Sequence, residues 1–148
     1  MRIGDLNPPL AAGRRGELIG RALELGLEVT TEVGRKNLDA RFDADAIARE
    51  IERDLALCAT KIYIESSEIQ ALYRKDPAAL DRIARSESAR ALLFELGLNE
   101  PQEKAAWLVE RYGPDINFAA VSPNDVTVVD AIRRGMHRKA GYHYLSRK

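Results

Sequence analysis

The chain has 148 residues, and its 23 Lys+Arg balance 23 Asp+Glu, so its formal net charge is zero. That length reads as one domain, and 45% hydrophobic with 31% charged residues is the composition of a globular protein. A neutral total argues against a dedicated nucleic-acid binder, which carries a net basic surface, and no apolar run approaches the ~18 residues needed to cross a bilayer. No basic segment followed by an apolar one opens the chain as a secretory signal would. The expected compartment is the cytoplasm, with no membrane and no nucleic-acid partner. The single cysteine, Cys58, cannot close an internal disulfide. Among Ala56, Leu57 and Ala59 it is expected to be a small core residue.

The punctuation is regular along the chain. Met1–Leu6 is a candidate fifth strand, followed by the turn-like Asn7-Pro8-Pro9. Arg14–Leu25 reads as a helix with Leu18, Ile19, Ala22 and Leu25 on one side. Leu27–Val33 reads as a β-branched strand closed by Gly34. Asp43–Leu57 reads as a helix, with Ile47, Ile51 and Leu55 recurring every four residues and Asp43 as its N-cap. Lys61–Glu65 is the next strand, and Ser67–Arg74 and Ala78–Arg85 are short helical pieces broken at Asp76-Pro77. Ala91–Leu96 is a strand, Gly97–Glu100 a loop, and Pro101 opens a helix that runs to Tyr112 and ends at Gly113-Pro114. Trp107 on that helix is expected to pack in the core. Ile116–Val121 is the last strand, and Ser122-Pro123-Asn124-Asp125 leads into a helix over Val126–Met136. No acid follows Asp130, whereas Arg133, Arg134, His137, Arg138, Lys139, Arg147 and Lys148 do. These read either as a solvated basic tail or as a surface partly facing an anion. The expected organisation is one barrel-like domain over 1–138 and a basic tail over 139–148.

Strands starting about every 30 residues with helices between them are βαβ units, hence parallel strands with right-handed crossovers. An open doubly wound sheet and an arc of a (β/α)₈ barrel both fit that rhythm, and a closed barrel needs ~250 residues. Strand faces favour the arc. Leu27, Val29, Thr31 and Val33 oppose Glu28, Thr30 and Glu32; Ile62 and Ile64 oppose Lys61, Tyr63 and Glu65; Leu92, Phe94 and Leu96 oppose Ala91, Leu93 and Glu95. A sheet covered on both sides would read as nearly continuous apolar runs. The expected class is therefore α/β, a partial TIM barrel of four to five parallel βα units.

Three successive strands end in a glutamate on the polar face: Glu32, Glu65 and Glu95. Parallel strands bring their carboxyl ends to one edge, where α/β enzymes build their sites, with neighbours about 4.8 Å apart. Converging carboxylates repel unless a cation sits between them, and hard oxygen ligands suit Mg²⁺. The alternative is that each glutamate pairs with Lys61, Arg35 or Lys36 and no metal is held. Arg35 and Lys36 directly follow the first strand as basic groups beside the rim. Lys36 is either an acid–base group or clamp, or a solvated loop lysine. Glu68, three residues after Glu65, is expected to face the same mouth. The Ser122-Pro123-Asn124-Asp125 turn either offers free N–H groups to a phosphate or merely caps the last helix through Ser122 or Asn124.

Several segments, taken in order, resemble the phosphosulfolactate synthase family. They are Glu-Val-Gly-Arg-Lys (32–36), Asp-Leu-Ala-Leu-Cys-Ala-Thr-Lys-Ile-Tyr-Ile-Glu (54–65), Pro-Gln (101–102) with Trp107, Arg-Tyr-Gly-Pro (111–114), Asn117, Ser-Pro-Asn-Asp-Val (122–126) and Ile-Arg-Arg-Gly-Met (132–136). The resemblance implies a Mg²⁺-dependent (β/α)₈ barrel that adds sulfite to phosphoenolpyruvate, an early step towards coenzyme M. It implies Glu32, Glu65 and Glu95 as metal ligands and Lys36 and Glu68 as catalytic groups. Arg35, Ser67, Ser122 and Asn124 are the implied contacts to a small anionic substrate. Departures accompany it: Ser67 stands where the family has arginine, Ile69-Gln70 replaces Ser-Gly, and Phe-Glu-Leu-Gly replaces Trp-Glu-Ala-Pro. The family's first strands have no counterpart, so a homodimer or a partner chain is expected to supply the rest of the barrel. Two functions follow as expectations. One is a phosphosulfolactate synthase-like lyase acting on phosphoenolpyruvate or a similar enolpyruvyl acid, with sulfite or another nucleophile. The other is a non-catalytic relative serving as a binding or assembly subunit.

Overall fold

The structure is a computed structural model that describes residues 2–3, 10–34, 43–85 and 87–140. Its elements alternate as the sequence rhythm requires. They are β1 (Arg2–Ile3), α1 (Ala12–Glu24), β2 (Thr30–Val33), α2 (Ala44–Ala56), β3 (Lys61–Ile64), α3 (Ser66–Lys75), α4 (Pro77–Ala84), β4 (Leu92–Glu95), α5 (Pro101–Tyr112), β5 (Phe118–Ala119) and α6 (Val126–Arg133). A 3₁₀ turn, Glu87–Ala91, leads into β4. All strand pairs are parallel, and the sheet order is β1-β2-β3-β4-β5. That order never reverses. A doubly wound sheet reverses at its switch point, so the strictly sequential order makes this sheet an arc of a (β/α) barrel.

The helix-facing side of the strands forms the core. Val33, Ile62, Ile64, Leu92, Phe94 and Leu96 are buried there and pack with Ile47 and Ile51 of α2, Ile69 and Leu72 of α3, Leu80 and Ile83 of α4, and Leu108 and Val109 of α5. Each such aliphatic side chain contributes roughly 1.5–3 kcal/mol on burial. The opposite side differs: Thr30, Lys61, Tyr63 and Leu93 are only half-buried. The alternation read from the sequence is thus a real division between a helix-covered face and a concave one. Trp107 packs half-buried against the core, edge-on to Tyr73 at 5.1 Å and to Tyr112 at 6.3 Å.

Several boundaries differ from the sequence expectation for local reasons. The strand expected from Leu27 begins at Thr30 because α1 closes with Gly26 in the left-handed region (φ 72°) and Leu27 N–H bonded to Ala22 O. Leu27 is left exposed. The strand expected over 116–121 shortens to Phe118–Ala119, since Ala120 adopts φ 49° and breaks the extended chain. The last helix stops at Arg133 rather than Met136, with Gly135 at φ 71° and Met136 exposed. Cys58 is not a core residue: it is exposed, at φ 68°, at the turn that ends α2. Most of the expected basic tail, residues 141–148, lies outside the described residues. Three of the preceding basic side chains are engaged: Arg133 stacks over the Phe118 ring at 5.0 Å, Arg134 pairs with Asp130 at 2.8 Å, and Lys139 pairs with Glu103. Among the described residues no helix is long and apolar enough to cross a membrane.

Candidate functional site

Strand register determines which side chains meet at the carboxyl rim. Glu32 is level with Tyr63, and Ile64 with Phe94, so the next residues, Glu65 and Glu95, stand side by side, with Glu32 diagonal to Glu65. Glu32 is the penultimate residue of β2, Glu95 the last of β4, and Glu65 the first past β3. One carboxylate oxygen from each of Glu32, Glu65 and Glu95 lies within 4.8 Å of the other two. All three residues are buried, at 9%, 8% and 7% exposure. The consequence is electrostatic. The Glu65 carboxyl is pushed up to about 7 by its burial, by a hydrogen bond with Glu32, and by the negative charges of Glu95 and Glu32, against a small opposing pull from the Ser67 backbone N–H. Crowding and desolvation thus let Glu65 hold a proton near neutral pH. Such a set of hard oxygen donors fits a divalent cation such as Mg²⁺.

Two glycines make this packing feasible. Gly34, at φ 102°, ends β2, and a Cβ there would lie 2.8 Å from Glu68 Cγ and 3.0 Å from Glu65 Cβ. Gly97, at φ 62°, follows β4, and a Cβ there would meet Ser66 Oγ at 2.3 Å. Ser66 Oγ donates to Leu96 O at 3.1 Å and accepts from Lys104 Nζ at 3.0 Å. Lys104 is fully buried, and burial holds its ammonium below the usual lysine range despite the pull of Glu100 and Glu65. From below, Arg15 grips the backbone of β2. Its guanidinium donates to Glu32 O at 2.9 Å and to both oxygens of the buried Asp54, the shortest at 2.6 Å.

Comparison with known proteins decides the kinship. Residues 3–139 match the family described as (2R)-phospho-3-sulfolactate synthase (ComA). The chain belongs to the phosphosulfolactate synthase family. The phosphosulfolactate synthase of Methanothermobacter thermautotrophicus is 25% identical over 125 residues, covering 80% of this chain and 48% of that protein. That of Methanocaldococcus jannaschii is 26% identical over 145 residues, covering 92% of this chain and 57% of that protein. The chain spans about half the length of the curated relatives it matches.

Within this family frame, the sequence-predicted residues distribute as follows. Glu32, Glu65 and Glu95 are brought together. Glu68 is buried on α3 beneath Gly34. Ser67 is half-buried in the first turn of α3. Ser122 and Asn124 lie just past β5, the strand beside β4, and there Ser122 Oγ accepts the Asn124 N–H at 3.3 Å. Neither side chain caps α6, whose N-cap is Asp125. Arg35 and Lys36 lie outside the described residues. Lys61, the expected partner of a glutamate, instead donates to Arg90 O at 2.9 Å, at the opposite end of its strand. Sequence reading missed Lys104, Ser66 and Arg15. A lysine or arginine on an amphipathic helix reads as solvent-facing, and only the burial of its neighbours Ala105, Leu108 and Val109 hints that Lys104 points inward.

Proposed function

We propose that the chain is a phosphosulfolactate synthase-type lyase that adds sulfite, or another nucleophile, to phosphoenolpyruvate or a similar enolpyruvyl acid, with Mg²⁺ held by Glu32, Glu65 and Glu95. The observation that carries this reading is the convergence of three buried carboxylates at one rim in a chain of this family. In the addition, the nucleophile's lone pair forms a bond to the methylene carbon. The alkene π pair shifts to the neighbouring carbon and its carboxylate, and a proton at that carbon completes the product with the phosphate ester intact. A bound Mg²⁺ would stabilise the negative charge that develops on the carboxylate. The chain's own residues do the rest. The three glutamates position the cation from rigid strand ends, the helix-covered core beneath them keeps the rim dry, and Lys36, by resemblance, delivers the proton. Arg35, Ser67, Ser122 and Asn124 are the assigned substrate contacts, with Glu68 supporting the acid–base step. The concave sheet face would be completed by further barrel strands, from a second copy or a partner chain, in the cytoplasm.

The test is a calorimetric titration with Mg²⁺ followed by phosphoenolpyruvate, with product formation from sulfite followed by phosphorus NMR. Heat with Mg²⁺ that disappears in Glu65→Gln supports the proposal. Absence of heat with either ligand, and no effect of Glu65→Gln, overturns it. A second reading, a non-catalytic relative that binds or assembles, is favoured by the resemblance, which implies an arginine where this chain carries the neutral hydroxyl of Ser67. Binding of both ligands without turnover would select it.

A further inference from the structure

We propose that the Lys104 ammonium is a seat for an anionic oxygen group of the substrate, either the carboxylate or the phosphate of an enolpyruvyl acid. This deepens the function proposed above and rests on it for the identity of the ligand. The argument begins with the lysine's own partners. An ammonium carries three donors, and among the described residues the only hydrogen bond of the Lys104 ammonium is the one to Ser66 Oγ. That hydroxyl is neutral and commits its own proton to Leu96 O. The carboxylate nearest in sequence, Glu100, is taken by Gln70 Nε2 at 2.9 Å and Arg74 at 2.7 Å. Among the described residues no carboxylate forms an ion pair with Lys104. A wholly buried cation in that condition is costly unless a charged partner arrives.

Its position says where that partner comes from. Lys104 sits one turn into α5, beside Ser66, the residue after Glu65, and its Nζ is 3.9 Å from the position a Cβ on Gly97 would take. That is an ordinary contact distance, and what places the amine by the rim is its hydrogen bond to Ser66 and the nearby negative charge of Glu65. The other described cations close to this rim are committed, Arg15 to Asp54 and Arg74 to Glu100. Lys104 supplies a positive charge in a dry setting, where it acts most strongly.

The experiment compares wild type, Lys104→Met and Lys104→Arg. Each is titrated with inorganic phosphate, pyruvate and phosphoenolpyruvate, with and without Mg²⁺, and Mn²⁺ binding is followed separately by electron paramagnetic resonance. The expected result is that Lys104→Met loses affinity for an anion by at least about tenfold, while Mn²⁺ affinity stays within a factor of about two and the melting temperature holds or rises. Lys104→Arg keeps part of the anion affinity. Loss confined to phosphate, or to pyruvate, tells which end of the substrate the lysine receives. Unchanged anion affinity in Lys104→Met overturns the proposal. So does failure of wild type to bind any of the three, or a joint fall in anion affinity, Mn²⁺ affinity and melting temperature. Phosphate binding that depends on Lys104 in a protein that binds no Mn²⁺ would retain the lysine and defeat the metal reading alone.

Discussion

The chain buries two sets of charges, and they are built on opposite principles. Arg15 and Asp54 are 3% and 0% exposed, joined through both carboxylate oxygens, with the guanidinium also reaching Glu32 O and, at 3.5 Å, Glu50. Every charge there has a geometrically matched opposite. A few ångströms along β2, Glu32, Glu65 and Glu95 crowd like charges together, and Lys104 stands by with one neutral hydrogen-bond partner and the charges of Glu65 and Glu100 acting from outside hydrogen-bond range. Both sets are desolvated, so burial does not distinguish them; complementarity does. The matched set ties α1 and α2 to the sheet. The mismatched set stores electrostatic free energy that a ligand can release, as functional sites do.

The largest effect should come from breaking the matched set. Arg15→Ala leaves Asp54 charged and buried, and is expected to destabilise the protein by about 3–5 kcal/mol in denaturant unfolding. It should also weaken Mg²⁺ binding, because the Glu32 carbonyl loses its donor. Replacing both residues with apolar ones, Arg15→Met with Asp54→Leu, should restore most of the stability. A single variant as stable as wild type would show that the pair does not anchor β2.

Next in size is Gly34→Ala. A side chain at φ 102° is strained, and its Cβ would press on Glu68 and Glu65. A loss of about 1–3 kcal/mol is expected, accompanied by weaker metal binding, since Glu65 must move. Equal metal affinity in the variant would mean that the glutamate trio tolerates displacement and is less tightly defined than its geometry indicates.

The mismatched set should respond to pH with a definite sign. Glu65 ordinarily titrates at 4.5 and in the fold near 7, so the folded metal-free protein holds a proton the unfolded chain releases. That contribution to stability is complete below about pH 4.5 and is lost as pH rises through about 7. The melting temperature of the metal-free protein should therefore fall between about pH 5 and 8. Mg²⁺ competes with the proton, so its affinity should rise over the same window and its addition should cancel the fall. Glu65→Gln should flatten the profile and remove the Mg²⁺ effect. A wild-type profile that is flat without metal would dissolve the contrast between the two sets.

Legibility from sequence divides along the same line. The span of α5 was readable because Pro101 and Gly113 mark its ends, and α2 because Asp43 caps it, accepting Ala46 N–H at 2.9 Å. The strand faces were readable from alternation, and the three glutamates from their repeated place at strand ends. Asp54 and Lys104 were not, because the partner that explains each lies far along the chain: Arg15 is 39 residues from Asp54, and Ser66 is 38 residues from Lys104. Periodicity assigns a charged helix residue to solvent unless something contradicts it. Strand ends were misplaced where a single residue, Gly26 or Ala120, takes a positive φ, which apolar patterning does not report.

The smallest prediction tests the stability edge of the sheet, away from the rim. Cys58 ends α2, with its N–H bonded to Leu55 O at 2.9 Å and Ala59 N–H bonded to Asp54 O at 3.0 Å. That is a Schellman closure, and its left-handed position favours glycine. The same closure follows α1 at Gly26 and α6 at Gly135, where glycine is present. An L side chain at φ 68° is strained there, and an exposed thiol contributes no packing to offset it. Cys58→Gly should stabilise the protein by about 0.5–1 kcal/mol, the strain relieved less the added chain entropy of glycine, a rise of a few degrees in melting temperature. It should leave the affinities for Mg²⁺ and phosphate untouched, because α2 ends at the amino edge of β3, where barrels hold stability rather than chemistry. A change in metal affinity on this substitution would mean that the two edges of the sheet are coupled, and that the matched charges around Asp54 transmit more than support.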